Sequence, residues 1–470
     1  MATPNEAQTS QQPEPRLIDI YQQSEKIYTR SFTGFYRNLR RVGGAFLFIL
    51  YFGSCWLSWG DRQGILFDLD ERKFHIFGTT FWPQDFILLS WVLIICAFGL
   101  FTITVVAGRI WCGYTCPQSV FTWVFMWVEN IMEGGRNKRI KRDSQAFNAN
   151  RALRKLTKHL LWLLIAFATS FTFVGYFTPV RELMPNILFL HLSSWSSFWL
   201  AFFTLATYGN AGWLREQVCL HMCPYARFQS VMFDNDTLVV AYDTKRGEVR
   251  GPRKKNIDQK SVGLGDCVDC TICVQVCPTG IDIRNGLQYQ CIGCAACIDA
   301  CDSIMDKMGY EKGLIRYTTD AALAGGKISL LRPRFIGYTF ALLVMIGLFA
   351  WTVNNREPLE LEVMRDRNTF YRITPNGDIE NIYMIKIANK SQLKQQITVS
   401  VDGIEGLHIP QDHAYVINSG EVSEHIVKAI APFVKGVSAF RPIKFHVTVA
   451  DPAIPALTFE SRFMTPSERR

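Results

Sequence analysis

Eight cysteines lie in one stretch, in two copies of the same spacing. Cys267-x2-Cys270-x2-Cys273-x3-Cys277 is followed by Pro278, and Cys291-x2-Cys294-x2-Cys297-x3-Cys301 follows after thirteen residues. Three thiolates on one tight loop can hold three corners of an iron–sulfur cubane, and the distant cysteine of the other run supplies the fourth. That crossover assigns Cys267, Cys270, Cys273 and Cys301 to one 4Fe–4S cluster, and Cys291, Cys294, Cys297 and Cys277 to a second. Zinc ribbons also use C-x2-C pairs, but they do not need eight cysteines in two such runs. The second run has Asp302 where the first has Pro278, which points to a more solvated cluster around Cys301.

Two further pairs both read C-x3-C-P: Cys112 and Cys116 before Pro117, and Cys219 and Cys223 before Pro224. Residues four apart on a helix share a face, and a proline disfavours helical geometry at the cysteine before it. Each pair comes just after an apolar segment, so the two units read as a weak internal repeat. If the halves pack together, four thiols converge, with His221 and Met222 as further ligands. Soft sulfur donors select copper(I), zinc or iron–sulfur clusters; inert packing or palmitoylation are the plainer alternatives. Cys55 and Cys96, inside apolar segments, read as packing residues, with a metal contact open at Cys55. His191, beside Ser193, Ser194, Ser196 and Ser197, is a functional group inside the membrane, a hydrogen-bonded structural histidine or one simply at the interface.

The elements that would position these groups are apolar. Of 470 residues, 49% are hydrophobic, 13% aromatic and 19% charged, which excludes a disordered chain; 14 cysteines are too few for a disulfide scaffold. The charge excess of +9 is mild, and no nucleic-acid partner is expected. Five segments are apolar enough to read as membrane spans: Val42–Trp59, Phe86–Ala107, His159–Phe177, Asn186–Tyr208 and Phe335–Val353. Lys and Arg concentrate before the first span and in 108–158, and are sparse in 60–85 and 178–185. By the positive-inside rule the N-terminus and 209–334 then face the cytoplasm and 354–470 the far side. The first fifteen residues lack Lys and Arg and show no secretory signal. The expected organisation is a tail (1–41), four spans with the first C-x3-C-P unit (42–208), a cytoplasmic region with the second unit and the eight-cysteine domain (209–334), a fifth span (335–353) and an exported domain (354–470). Short alternating runs at Asn381–Ala388, Gln396–Val401, His425–Ile430 and Ile443–Val449, separated by Pro375-Asn376-Gly377 and Ser419-Gly420, predict a β-sandwich there. Met364, Met384, His408, His413, His425 and His446 are scattered along it.

This layout resembles the cytochrome c oxidase accessory protein family (CcoG, FixG, RdxA). The resemblance covers nearly the whole chain and rests on the spans, both C-x3-C-P units, the two-cluster insert and the exported β-domain together. It implies an α-helical polytopic membrane protein of the bacterial inner membrane, with a cytoplasmic two-cluster ferredoxin-like insert and a C-terminal immunoglobulin-like β-sandwich. It further implies reduction of copper(II) to copper(I) for assembly of a cbb3-type cytochrome oxidase. Cys112, Cys116, Cys219 and Cys223 are carried over as copper or redox thiols. The implied partners are oxidase subunits or copper chaperones at the exported domain, membrane lipid and a cytosolic electron donor. No nucleotide-binding glycine fingerprint and no C-x-x-C-H haem motif occurs. Two other readings remain: a quinol-linked conduit to a periplasmic reductase, and a non-enzymatic assembly scaffold.

Overall fold

A computed structural model describes residues 26–466, apart from 61, 147, 255–262, 330, 356–357, 367–368, 392, 411–413, 435–437 and 452–453; His413 lies outside the described residues. Three helices are long and apolar enough to cross a membrane: α2 (Phe86–Ala107), α6 (Ala149–Val174) and α11 (Pro333–Asn354). α2 has no charged residue in 22 positions, about 33 Å of helix, and α11 packs along it.

The other two predicted spans differ, for local reasons. α1 (Phe35–Ser54) carries Arg37, Arg40 and Arg41 in its first two turns, so its apolar length is short. The segment predicted as Asn186–Tyr208 is broken. α7 (Val180–Leu188) ends, Leu190 takes a left-handed φ of 56°, and Ser193 caps a new helix, α8 (Ser194–Thr207), by accepting from the Ser196 amide. A wide π-type turn, Tyr208–Leu214, continues α8 to Arg215. His191 therefore sits in the break, exposed, and the serines around it serve as a helix start rather than as a polar site within a span.

Between the spans lie α3 (Ile110–Tyr114), α4 (Pro117–Glu133), α5 (Arg136–Ser144) and α9 (Pro224–Met232). Helix α4 packs on α6 through Phe125 and Trp162, stacked at 5.4 Å. Beside them Glu129, fully buried, meets Arg139 and Arg215 at 3.0 Å each and Lys158 at 3.9 Å, and Lys158 also meets Glu133 at 2.8 Å. Burial alone would push the Glu129 carboxyl up, but Arg215, Arg139 and Lys158 hold it below the usual carboxylate range. Removing one member of such a group leaves uncompensated buried charge. Glu129→Gln is therefore expected to destabilise the fold by roughly 3–5 kcal/mol, read as a large drop in Tm in detergent. Arg139 belongs to the basic stretch 108–158 that the charge count uses only for orientation; its side chain is 2% exposed.

The cysteine-rich domain is braced by two paired strands, Val239–Tyr242 and Ile315–Thr318, and by α10 (Ala296–Met308). The C-terminal domain is the predicted sandwich. One sheet orders Val422–Ala431, Ile379–Asn389 and Leu359–Arg365, with Arg372–Ile373 also on the middle strand. The other orders Ala414–Ile417, Gln395–Asp402, Phe440–Val449 and Leu457–Met464. Alternate residues such as Tyr383, Ile385, Ile397, Val427, Phe445 and Val447 fill the space between them. Within the predicted loop, Ile65–Asp68, Lys73–Ile76 and Thr79–Phe81 form a small three-stranded sheet, and Lys390 of the sandwich meets Asp85 just before α2. The opposite end of α2 is closed by the cysteine side of the molecule: Leu238 N, Thr237 Oγ1 and Arg332 Nη2 donate to the carbonyls of Val106 and Val105. Sandwich and cysteine-rich domain thus flank opposite ends of one apolar helix.

Candidate functional site

The two cysteine runs fold alike. Asp269 and Thr271 flank Cys270 with positive φ, and Gly293 and Ala295 flank Cys294 in the same way. This left-handed pair turns each loop so that successive thiols face inward, at a cost non-glycine residues carry only where the surroundings enforce it. One cavity is lined by Cys267, Cys270, Cys273 and Cys301. A second is lined by Cys277, Cys291, Cys294 and Cys297, with Cys273 at its edge. Each cavity is thus lined by three thiols of one run and the fourth of the other, with Cys273 reaching both.

Four thiols ring each of the two cavities, which fits a 4Fe–4S cluster in each. Burial pushes Cys273 and Cys291 each up to about 12, and pushes Cys277, Cys297 and Cys301 up as well. Iron must therefore displace protons, and that exchange ties cluster insertion to folding.

Around Cys301 the structure gives a reason for the missing proline. α10 runs through Cys301 and Asp302, where proline would break the helix, and Asp302 accepts from the Gly313 amide at 3.0 Å. Of the eight thiols only Cys270, in the same set as Cys301, is exposed.

Both C-x3-C-P units close with the same hydrogen bond. Cys116 N donates to Trp111 O at 2.9 Å and Cys223 N to Val218 O at 2.8 Å, each five residues back. Such wide turns recur at functional sites. Cys116 and Cys223 are then extended, with ψ of 125° and 112°, and Pro117 and Pro224 open α4 and α9. The repeat is real in three dimensions, and its halves meet. Burial pushes Cys112 up to about 11, with Cys116 and Cys223 adding to it. Burial pushes Cys219 up to about 12, with Cys116, Cys112 and Cys223 adding. The four thiols thus lie within one another's electrostatic reach without closing on a point. Gln229, fully buried on α9, bridges the units at 3.6 Å from Cys112 Sγ. His221 is exposed and Met222 is 62% exposed, and no three-ligand group forms there among the described residues.

The first C-x3-C-P unit lies beside the second cluster cavity. Cys112 packs against the buried group that includes Ile292 and Cys294, and Gly113 lies so close to the cluster loop that a Cβ there would be 2.8 Å from Gly293 O. Arg40 Nη2 donates to Cys294 O at 2.9 Å, Arg109 Nη1 to Tyr289 O at 2.6 Å, and Tyr317 Oη to Gly293 O at 2.5 Å. Two buried arginines thereby clamp the loop to the helices.

Two curated relatives match over most of their own length. "Nitrogen fixation protein FixG" of Rhizobium meliloti is 35% identical over 82% of this chain and 80% of its own. "Protein RdxB" of Cereibacter sphaeroides is 38% identical over 83% and 84%. The chain belongs to the FixG/RdxA family. Residues 349–466 match the family described as an IG-like fold at the C-terminus of FixG, 214–320 a 4Fe-4S dicluster domain, and 89–133 a 4Fe-4S binding domain. A solved FixG-related protein from Vibrio parahaemolyticus is 29% identical, covering 23% of this chain and 97% of its own, with a TM-score of 0.22. This FixG/RdxA-family chain is a membrane-associated iron–sulfur protein of electron transfer.

Sequence reading missed Arg40, Arg109 and Gln229 in this FixG/RdxA site. The arginines count there only as membrane-flanking charge, and an isolated glutamine gives no spacing signal. On the sandwich, the histidines have local partners: His446 meets Asp402 at 2.9 Å and Thr458 at 3.1 Å, His425 meets Ser423 at 2.6 Å, and His408 meets Gly406 O at 3.1 Å. Met364 and Met384 are paired across neighbouring strands. Cys55 is buried at the end of α1 and lines a cavity with Arg62 and Arg181, while Cys96 is exposed on α2.

Proposed function

We propose that the chain carries electrons through its two clusters to copper(II) at the C-x3-C-P thiols, releasing copper(I) for assembly of a cbb3-type cytochrome oxidase. The observation that carries this is the close approach of Gly113 to the Gly293–Cys294 loop, with Cys112 beside it packed on the buried group that includes Cys294, which brings a soft-ligand group next to a cluster ligand. The clusters supply one-electron storage and transfer when bound. Cys267, Cys270, Cys273 and Cys301 would hold one, and Cys291, Cys294, Cys297 and Cys277 the other. Ile281, Ile283 and Ile292 line the second cavity and exclude water. Arg40 and Arg109 fix the loop beside the thiols, and their charge favours added negative charge there. The thiols take copper(II) as substrate, and sulfur donors prefer copper(I), so the ligand set itself favours reduction. The position of the sandwich and the clusters at opposite ends of α2 supports a topology with the clusters cytoplasmic and the sandwich periplasmic, facing oxidase subunits or copper chaperones.

The test uses full-length protein with its clusters chemically reduced and excess reductant removed. Adding copper(II) should reoxidise the clusters, with one copper(I), captured by a chelating dye, for each electron released. A variant with Cys112, Cys116, Cys219 and Cys223 all changed to Ser is expected to lose at least about tenfold in rate, a transition-state loss of roughly 1.4 kcal/mol or more. An unchanged rate in a cluster-replete variant would remove the thiols from the mechanism.

A further inference from the structure

We infer that a cavity against the second cluster is a binding site for a quinol headgroup, through which the membrane supplies electrons to the relay. The cavity encloses about 220 Å3, less than the ~300–1,000 Å3 of sites that bury a whole drug-sized ligand, which suits a single ring whose tail stays outside. It lies where α2 ends: Ala107, the last residue of that helix, lines it with Phe233 and Leu238. A ring seated there leaves its hydrocarbon tail beside a membrane-length helix. Cys291 and Val240 line both this cavity and the cluster cavity behind it. One ligand side chain and one valine are the partition.

The lining selects the chemistry. Tyr289, Tyr317 and Phe233 offer aromatic surface, and Val240 is 2% exposed. Arg109 is the one charged side chain among the described residues lining it, and its guanidinium already donates to the carbonyls of Tyr289, Cys291 and Ala226. A nicotinamide or flavin nucleotide brings phosphates, which need free cations or a glycine-rich turn of backbone amides; neither is present in this lining. A quinol is flat, uncharged and membrane-borne. The rim residues Leu287 and Tyr289 are 44% and 39% exposed, so water reaches the site.

The electron count closes. Oxidation of one quinol to the quinone breaks two O–H bonds, sends two protons to water at the rim and releases two electrons. Each oxidised cluster gains one. The second cluster, beside both the cavity and the thiols, passes electrons on, while the first holds the other electron. The inference rests on the two-cluster reading and not on copper as the acceptor.

The experiment mixes full-length protein in detergent, clusters oxidised and air excluded, with decylubiquinol, and follows loss of the cluster visible absorbance. Ala107→Phe and the rim change Leu287→Trp each fill the cavity, and dithionite reduction of both reports intact clusters. Quinol reduction of the unaltered protein, slowed roughly tenfold or more in the filled variants with dithionite reduction unchanged, is the expected result. A photoreactive azido-quinone should also label peptides spanning 285–293 or 233–242, read by mass spectrometry, and lose that label in the variants. Equal quinol rates in all three proteins, label elsewhere, or clusters reduced by dithionite but not by quinol would each overturn the inference. Failure of copper(II) to reoxidise the clusters would instead strike the proposed function and leave quinol reduction untouched.

Discussion

A valine at Gly113 is expected to leave both clusters in place and yet slow copper(II)-driven reoxidation by about tenfold to a hundredfold. The reason is steric. A Cβ at this position would lie 2.8 Å from Gly293 O, 2.9 Å from Cys294 Cα and 3.0 Å from Gly293 C. All three are backbone atoms of the cluster loop, so no flexible side chain can yield, and helix α3 must move away. Misplacing reacting groups by about 1 Å commonly costs on the order of 10²-fold, and α3 carries Cys112. Iron and sulfide analysis together with the visible spectrum should match the unaltered protein, while stopped-flow reoxidation by copper(II) falls. An unchanged rate would mean that electrons leave the clusters by another surface.

Cys297→Ser and Cys270→Ser should part company. Both remove a cluster ligand, and each is expected to lower iron content by about half, since four-cysteine ligation is the rule for such clusters. Cys297 belongs to the cavity that touches the thiols, and its loss should abolish copper(I) production. Cys270 belongs to the other cavity and is exposed. Losing that cluster removes the store for a second electron but leaves the contact with Cys112 intact. Copper(I) yield per reduced chain should then fall to about half, in step with the electrons stored. EPR of the reduced proteins, read beside the copper(I) assay, checks both outcomes; equal loss in the two variants would contradict the order proposed for the relay.

The chemistry-bearing residues were the most legible part of the chain, because their spacing is a geometric instruction. Two 2-2-3 runs can share thiols only by crossing over, and the cavities lined by Cys301 and by Cys277 are that crossover. The sandwich strands were equally readable: the predicted runs fall inside Ile379–Asn389, Gln395–Asp402, Val422–Ala431 and Phe440–Val449, since a period of two needs no distant information. The fourth apolar segment was not legible. Hydropathy averages over His191 and the serines, whereas the break depends on the φ of Leu190 and the cap made by Ser193. Likewise the charge count could not separate Arg139, paired with Glu129, from its solvated neighbours, or foresee that Arg40 and Arg109 bond to the cluster loop. Those roles depend on partners between 10 and 254 residues away.

The first turn of α1 carries a consequence for the order of biosynthesis. Its free amides at Tyr36 and Arg37 are received by the Asp299 carboxylate at 3.1 and 2.7 Å, and Asp299 stands on α10 between Cys297 and Cys301. The ribosome makes Tyr36 263 residues before Asp299. Helix α1, the first among the described residues, therefore waits with an unfinished end until the late cysteine-rich segment has emerged and taken shape. Delivery of iron and sulfide becomes a maturation checkpoint, and a chain that misses it presents a frayed N-terminal helix to the proteases that survey the membrane.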